Sequence, residues 1–142
     1  MRVLFDTNVV LDVLLDRQPH APDAVQLFAH VERGTIDGLL GATTLTTVHY
    51  LAAKAVGDEQ AREHIGTLLQ LFEVAPVTRA VLEDALALDF GDFEDAVLHE
   101  AARHARADGV VTRNTPDFAA ATLSVYTPAE LRAALDQEKN EE

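Results

Sequence analysis

Three aspartates, Asp6, Asp95 and Asp117, come from well-separated stretches of this chain, and each stands near the point where one pattern of apolar spacing gives way to another. Carboxylates and waters around an open octahedron are the ligand set of Mg²⁺ or Mn²⁺. Such an ion lowers the pKa of a bound water and clamps the oxygens of a phosphodiester. Three acids gathered in one crevice repel each other unless a cation joins them, so the set argues for more than any member does alone. Each also has an ordinary structural reading. Asp6 or Asn8 can cap a helix. Asp92, Glu94 and Asp95 suit the first turn of a helix, where the dipole favours acids, with Asp92 as the cap. Asn114, Pro116 and Asp117 are turn residues.

The elements that must position these acids follow from periodicity. Arg2-Val3-Leu4-Phe5 reads as a short strand. Beyond Asp6-Thr7-Asn8, apolar Val9, Val10, Val13 and Leu14 stand at helical spacing, so a helix begins there. Helices are expected over about 22–33, 44–56, 58–72, 78–88 and 92–107, with Gly34 and Gly57 stopping the first two and Asp58 and Thr78 as caps. Short strands are expected at 39–42, 73–77, 109–112 and 123–126, and residues 114–121 as a loop or one helical turn. Thr127-Pro128-Ala129-Glu130 has a cap, a proline at the first helical position and a glutamate three residues after the cap. Strands alternating with helices predict an α/β fold, a parallel sheet covered by helices. In such sheets ligands bind at the carboxyl ends of strands. Asp6 ends one strand; Thr112, Arg113 and Asn114 end another.

Composition narrows the alternatives. The 142 residues predict one domain over 1–135 and a charged tail at 136–142 that frays. No apolar run is long enough for a membrane span, and the early strand with its Asp6 is unlike a secretory leader. The absence of cysteine removes disulfides and thiolate metal sites and fits a cytoplasmic protein. With 24 acids against 11 Lys and Arg, the net charge of −13 repels nucleic acid in general. A nucleic-acid role then needs local bases, a bridging metal or a basic partner. Arg17, Lys54, Arg103, Arg106 and Arg113 are the candidates for phosphate contact. There is no Ser/His/Asp signature, phosphate loop or zinc motif, and the six histidines show no metal spacing.

Four stretches together resemble the PIN domain family, the small metal-dependent ribonucleases that include VapC-like toxins. They are Phe5-Asp6-Thr7-Asn8-Val9-Val10-Leu11-Asp12, Asp92-Phe93-Glu94-Asp95-Ala96, Val111-Thr112-Arg113-Asn114-Thr115-Pro116-Asp117-Phe118 and Tyr126-Thr127-Pro128-Ala129-Glu130. The resemblance runs from Met1 to about Leu135. It implies a Rossmann-like three-layer fold and an acidic Mg²⁺ or Mn²⁺ site at which activated water cleaves RNA. By position, it implies Asp6 and Asp95 as metal ligands, with Asn114 or Asp117 completing the site. Asn8 and Thr112 would orient those ligands. It also implies an antitoxin partner that blocks the crevice, and a homodimer.

The chain departs from the pattern in two places. Family members usually carry a glutamate on the helix after the second strand, and stepping in threes from Thr43 through Thr46 reaches His49. Asn114 stands where many members have aspartate. Such a site either uses His49 for Mn²⁺ or the substrate phosphate, or is weakened into a module that binds RNA or protein without cutting. A lone histidine with Leu45, Val48 and Ala52 for company is otherwise a packed or surface residue. A haloacid-dehalogenase-type phosphatase, suggested by Phe5-Asp6-Thr7-Asn8, requires a second aspartate where Asn8 stands.

Overall fold

The computed structural model describes the backbone of residues 1–141 and the side chains of residues 1–138. Five strands form one parallel sheet: β1 (Arg2–Phe5), β2 (Asp37–Gly41), β3 (Glu73–Ala75), β4 (Gly109–Val111) and β5 (Ser124–Tyr126). Their order is β3-β2-β1-β4-β5. The seven helices among the described residues are α1 (Thr7–Leu14), α2 (Ala21–Glu32), α3 (Ala42–Val56), α4 (Asp58–Leu71), α5 (Arg79–Leu86), α6 (Phe93–His104) and α7 (Pro128–Glu141). This is the parallel α/β sheet covered by helices expected from the alternating patterns, in the three layers that the resemblance implies. None of these helices is long and apolar enough to cross a membrane.

Strand β1 shows why the layers form. Its side chains alternate across the sheet. Val3 and Phe5 face a core built with Val9, Val10, Leu27, Val48, Leu68 and Leu131. Leu4 faces the opposite core with Leu39, Val97, Leu98, Ala101 and Val110. Phe5, Phe28 and Phe72 pack edge-on, with ring centroids 5.1–5.8 Å apart. Each such pair adds about 0.5–1.5 kcal/mol beyond the area it buries. Gly41 ends β2 where the chain passes α6; a Cβ there would lie 2.5 Å from Leu98 Cδ2.

The chain runs outward from β1 through β2 to β3, then returns to the other side of β1 for β4 and β5. The order of strands therefore reverses between β1 and β4, and a crevice opens beyond their carboxyl ends. Asp6 N–H donates to the Val111 carbonyl at 2.9 Å, which closes the β1–β4 ladder directly under that crevice.

Several boundaries differ from the expected ones for local reasons. Helix α1 begins at Thr7, because Asp6 takes extended dihedrals and its carboxylate accepts from the Thr7 N–H. Asp58 is not a cap: Gly57, at φ 90°, precedes the helix, and Asp58 is its first residue, bound to Arg62. Helix α6 ends at His104 rather than near Ala107, since Arg106 adopts a left-handed φ of 62°. Thr78 and Thr127 cap as expected. Thr78 Oγ1 accepts from the Val81 N–H. Thr127 Oγ1 accepts from the Glu130 N–H while the Glu130 carboxylate accepts from the Thr127 N–H. Helix α7 continues through Glu141, across most of the charged tail; Glu142, the last residue of the tail expected to fray, lies outside the described residues.

Candidate active site

Asp6 is buried at the end of β1, and three neighbours hold its carboxylate. The Thr7 N–H donates to Oδ1 at 2.7 Å, the Thr112 hydroxyl donates to Oδ2 at 2.8 Å and Asn8 Nδ2 donates to Oδ2 at 3.3 Å. Asp6 is thus a helix cap that also lines the crevice. Burial pushes its pKa up from the ordinary value, and Asp117 adds to that; the bonds from Thr112, Thr7 and Asn8 work the other way.

Thr112 is fully buried just past β4. While its hydroxyl donates to Asp6, its oxygen accepts from the Asn114 N–H at 3.0 Å. Asn8 Oδ1 accepts from the Arg113 N–H at 3.2 Å. These bonds bind the segment after β4 to the segment after β1. The Asn114 carbonyl accepts from the Asp117 N–H at 3.0 Å, opening the short 3₁₀ turn Thr115–Phe118 that carries Asp117.

On the facing side, Asp92 caps α6 by accepting from the Asp95 N–H at 3.1 Å. That cap sets Asp95 in the first turn. The Asp95 pKa is pushed up to about 7, first by burial and then by the charges of Asp6, Asp92, Asp117 and Glu94. A carboxyl so placed is crowded by like charge, a condition that a cation relieves.

Asp6, Asn8, Asp92, Asp95, Arg113, Asn114 and Asp117 line one open cavity of about 360 Å³. Thr7, Leu11, Arg17 and Glu94 complete the lining. A larger cavity of about 610 Å³ adjoins it and shares Asp92 and Asp117, but its remaining walls are Asp89, Phe90, Gly91, Pro116 and two alanines. Asp6 and Asp95 line the smaller one and not the larger. Among the described residues, no three acidic or histidine side chains stand together at ligating separation. The donor set itself fits a hard divalent cation: all oxygen, with Asp6 held in place and Asp95 crowded by like charge.

His49 is not in this crevice. Its Nε2 lies 3.1 Å from Asp58 Oδ1 at the start of α4, an ion pair when the imidazole is protonated. Each step of three along a helix falls about 60° short of a full turn, so two steps from Thr43 rotate His49 about 120° away. The α3 residues on the near side are Thr44, whose hydroxyl is 3.1 Å from that of Thr7, and Thr43, Thr46 and Thr47. Those last three line a groove of about 370 Å³ that shares Glu94 with the crevice. Of the five bases considered for phosphate contact, only Arg17 and Arg113 line the crevice. Arg103 is bound to Glu100 and Asp84, and Lys54 lies over the Tyr50 ring.

Sequence reasoning passed over Asp12, which is fully buried and bonded to both Arg17 and Arg113. A charge inside the apolar run Val9–Val13 was the available signal, since a buried carboxylate demands partners.

A parallel sheet covered by helices, with an acidic crevice at its switch point, defines an open α/β fold, and the chain belongs within that class to the PIN domain family, whose model matches residues 2–116. Over 134 residues it is 25% identical to ribonuclease VapC1 of Aquifex aeolicus, covering 91% of this chain and 92% of that one. Among solved structures it is similar to a toxin–antitoxin complex from Klebsiella pneumoniae, with 26% identity and a TM-score of 0.69 over 89% of this chain and 97% of that one. It shares its fold with FitAcB from Neisseria gonorrhoeae, at 22% identity and a TM-score of 0.68 over 89% and 98% of the two chains.

Proposed function

We propose that this chain is a VapC-like ribonuclease, the toxin of a toxin–antitoxin pair, which hydrolyses RNA phosphodiester bonds with Mg²⁺ or Mn²⁺. The observation that carries the reading is the convergence of Asp6, Asp95 and Asp117 on one crevice at the β1/β4 switch point. The likeness to ribonuclease VapC1 supports the reaction, and the likeness to toxin–antitoxin complexes supports an antitoxin as partner.

Asp6, Asp95 and Asp117 would hold the ion, with Asn114 joining directly or through water. The bound ion supplies a water of lowered pKa and charge to offset that of the phosphate. The chain's own groups do the positioning. Thr112 and Asn8 fix the Asp6 carboxylate so that it need not reorganise. Asp92 holds the first turn of α6 and thereby Asp95. Leu82, Leu86 and Phe93 are exposed apolar side chains of α5 and the start of α6, a surface that supports a homodimer. A single domain acting in the cytoplasm completes the reading.

Incubation of a labelled tRNA pool with Mn²⁺, Mg²⁺ or EDTA tests it. Fragments are expected with a divalent ion and none with EDTA. One observation favours a second reading: α3 presents threonines to the neighbouring groove and no acid to the crevice. Intact RNA with both ions, from folded protein, would favour a PIN-like module that binds RNA or protein without cutting.

A further inference from the structure

Asp12 is a carboxylate of α1 with no exposed surface, and it holds two arginines at once. Arg17 Nε donates to Oδ1 at 2.9 Å. Arg113 Nε donates to Oδ2 at 2.7 Å, and Arg113 Nη2 to Oδ1 at 3.3 Å. Arg17 Nη2 also donates to the Asn8 carbonyl at 3.1 Å, and the Arg113 backbone N–H donates to Asn8 Oδ1. Both arginines line the acidic crevice.

We propose that Arg17 and Arg113, set in place by Asp12, form a binding site for a phosphate of the RNA strand next to the one being cut. The proposal rests on the ribonuclease reading. Within the trio, two guanidiniums against one carboxylate leave one positive charge in excess. The Nη1 group of each arginine takes no part in the bonds above. A planar guanidinium with free N–H groups matches the geometry of phosphate oxygens, and one already fixed loses less freedom when it binds. The surface of a chain with net charge −13 repels RNA, so attraction has to be local, and this is the cationic part of the crevice wall. Arg113 also borders a second cavity of about 250 Å³ with Pro19, His20, Thr127, Pro128 and Asp23, the last of them paired with Arg132. A strand with one phosphate at the acids and the next at the arginines would leave the crevice on that side.

Asp12 is a positioning residue in this account: it touches the arginines, and they touch the phosphate. A purely structural role, tying α1 to the segment after β4, would use the same bonds. Charge separates the two. Asp12→Asn removes an acid, so general electrostatics alone would strengthen binding of any anion. The positioning role predicts the opposite sign.

The test is a titration of the full chain with inorganic phosphate, following the side-chain Nε–H resonances of Arg17 and Arg113 by NMR. The two signals are expected to shift together with one affinity, weakened about tenfold by Asp12→Asn, the equivalent of one charge-assisted hydrogen bond. If Asp12→Asn does not fold, Arg113→Lys keeps the charge and removes the fork, and the same weakening is expected. In RNA binding, Arg17→Gln and Arg113→Gln should each reduce the salt slope by about 0.7. No shift of either signal in the parent protein, or undiminished phosphate affinity in the folded variant, would overturn the site whether or not the protein cuts RNA. Shifts as expected with RNA left intact would uphold the anion site and remove the nuclease reading instead.

Discussion

The Thr112 hydroxyl donates to Asp6 Oδ2 at 2.8 Å across 106 positions of sequence, joining the segment after β4 to the end of β1. The bond is buried, and both partners stand beyond the carboxyl ends of neighbouring strands. Together with the bonds from the Thr7 N–H and Asn8 Nδ2, it fixes the orientation of the Asp6 carboxylate.

Thr112→Val keeps the shape and removes this donor. Ribonuclease activity is expected to fall about 10–100-fold, the usual cost of losing a group that orients a metal ligand. The loss should appear in Mn²⁺ affinity as well as in rate. Calorimetric titration of Mn²⁺ into parent and variant, beside the RNA assay, checks both; equal Mn²⁺ affinity would remove Thr112 from the site.

The acids also set a pH dependence. Asp95 is raised to about 7 and Asp6 is raised as well. A carboxyl whose pKa is higher folded than unfolded binds its proton more tightly in the fold. From about pH 4 to about pH 7 the folded chain therefore carries the extra proton, and stability falls as pH rises through that window. In EDTA, Tm should be higher at about pH 5 than at about pH 7.5, and Mn²⁺ should recover part of the loss at the higher pH. A metal-free Tm that rises between those values would contradict the crowding of these acids.

His49 faces Asp58 rather than the crevice, so His49→Ala should leave RNA cleavage within about twofold of the parent and change stability by about 0.5 kcal/mol or less. A large loss of kcat in that variant would return His49 to the site.

Thr127 and Glu130 satisfy each other's backbone N–H at the start of α7. Thr127→Ala should destabilise the fold by about 1 kcal/mol, measured by urea unfolding, with the m-value unchanged.

Much of the architecture was legible because periodicity and caps carry it. The change of spacing after Asp6, the Asp92 cap and the Thr127 start are local signals, and each organises the few residues around it. The convergence of Asp6, Asp95 and Asp117 was readable only through the fold class, since a switch point gathers residues that no local pattern connects. Other features depended on rotation or on distant partners. The face presented by His49 turns on the difference between three residues and a full helical turn. The Asp12 cluster joins residues 101 positions apart, and nothing near Asp12 names Arg113 as its partner. Arg106 ends α6 through a backbone conformation that arginine seldom adopts, so its side chain gave no warning.

The most direct test of the acidic crevice is the single-turnover cleavage rate of RNA by the parent protein and by Asp6→Asn at saturating Mn²⁺. The substitution keeps the volume and removes the charge from the carboxylate that Thr7, Asn8 and Thr112 hold. A rate lower by about a hundredfold or more, with the variant folded, is the predicted result. A rate equal to that of the parent would mean that RNA is cut without the crevice.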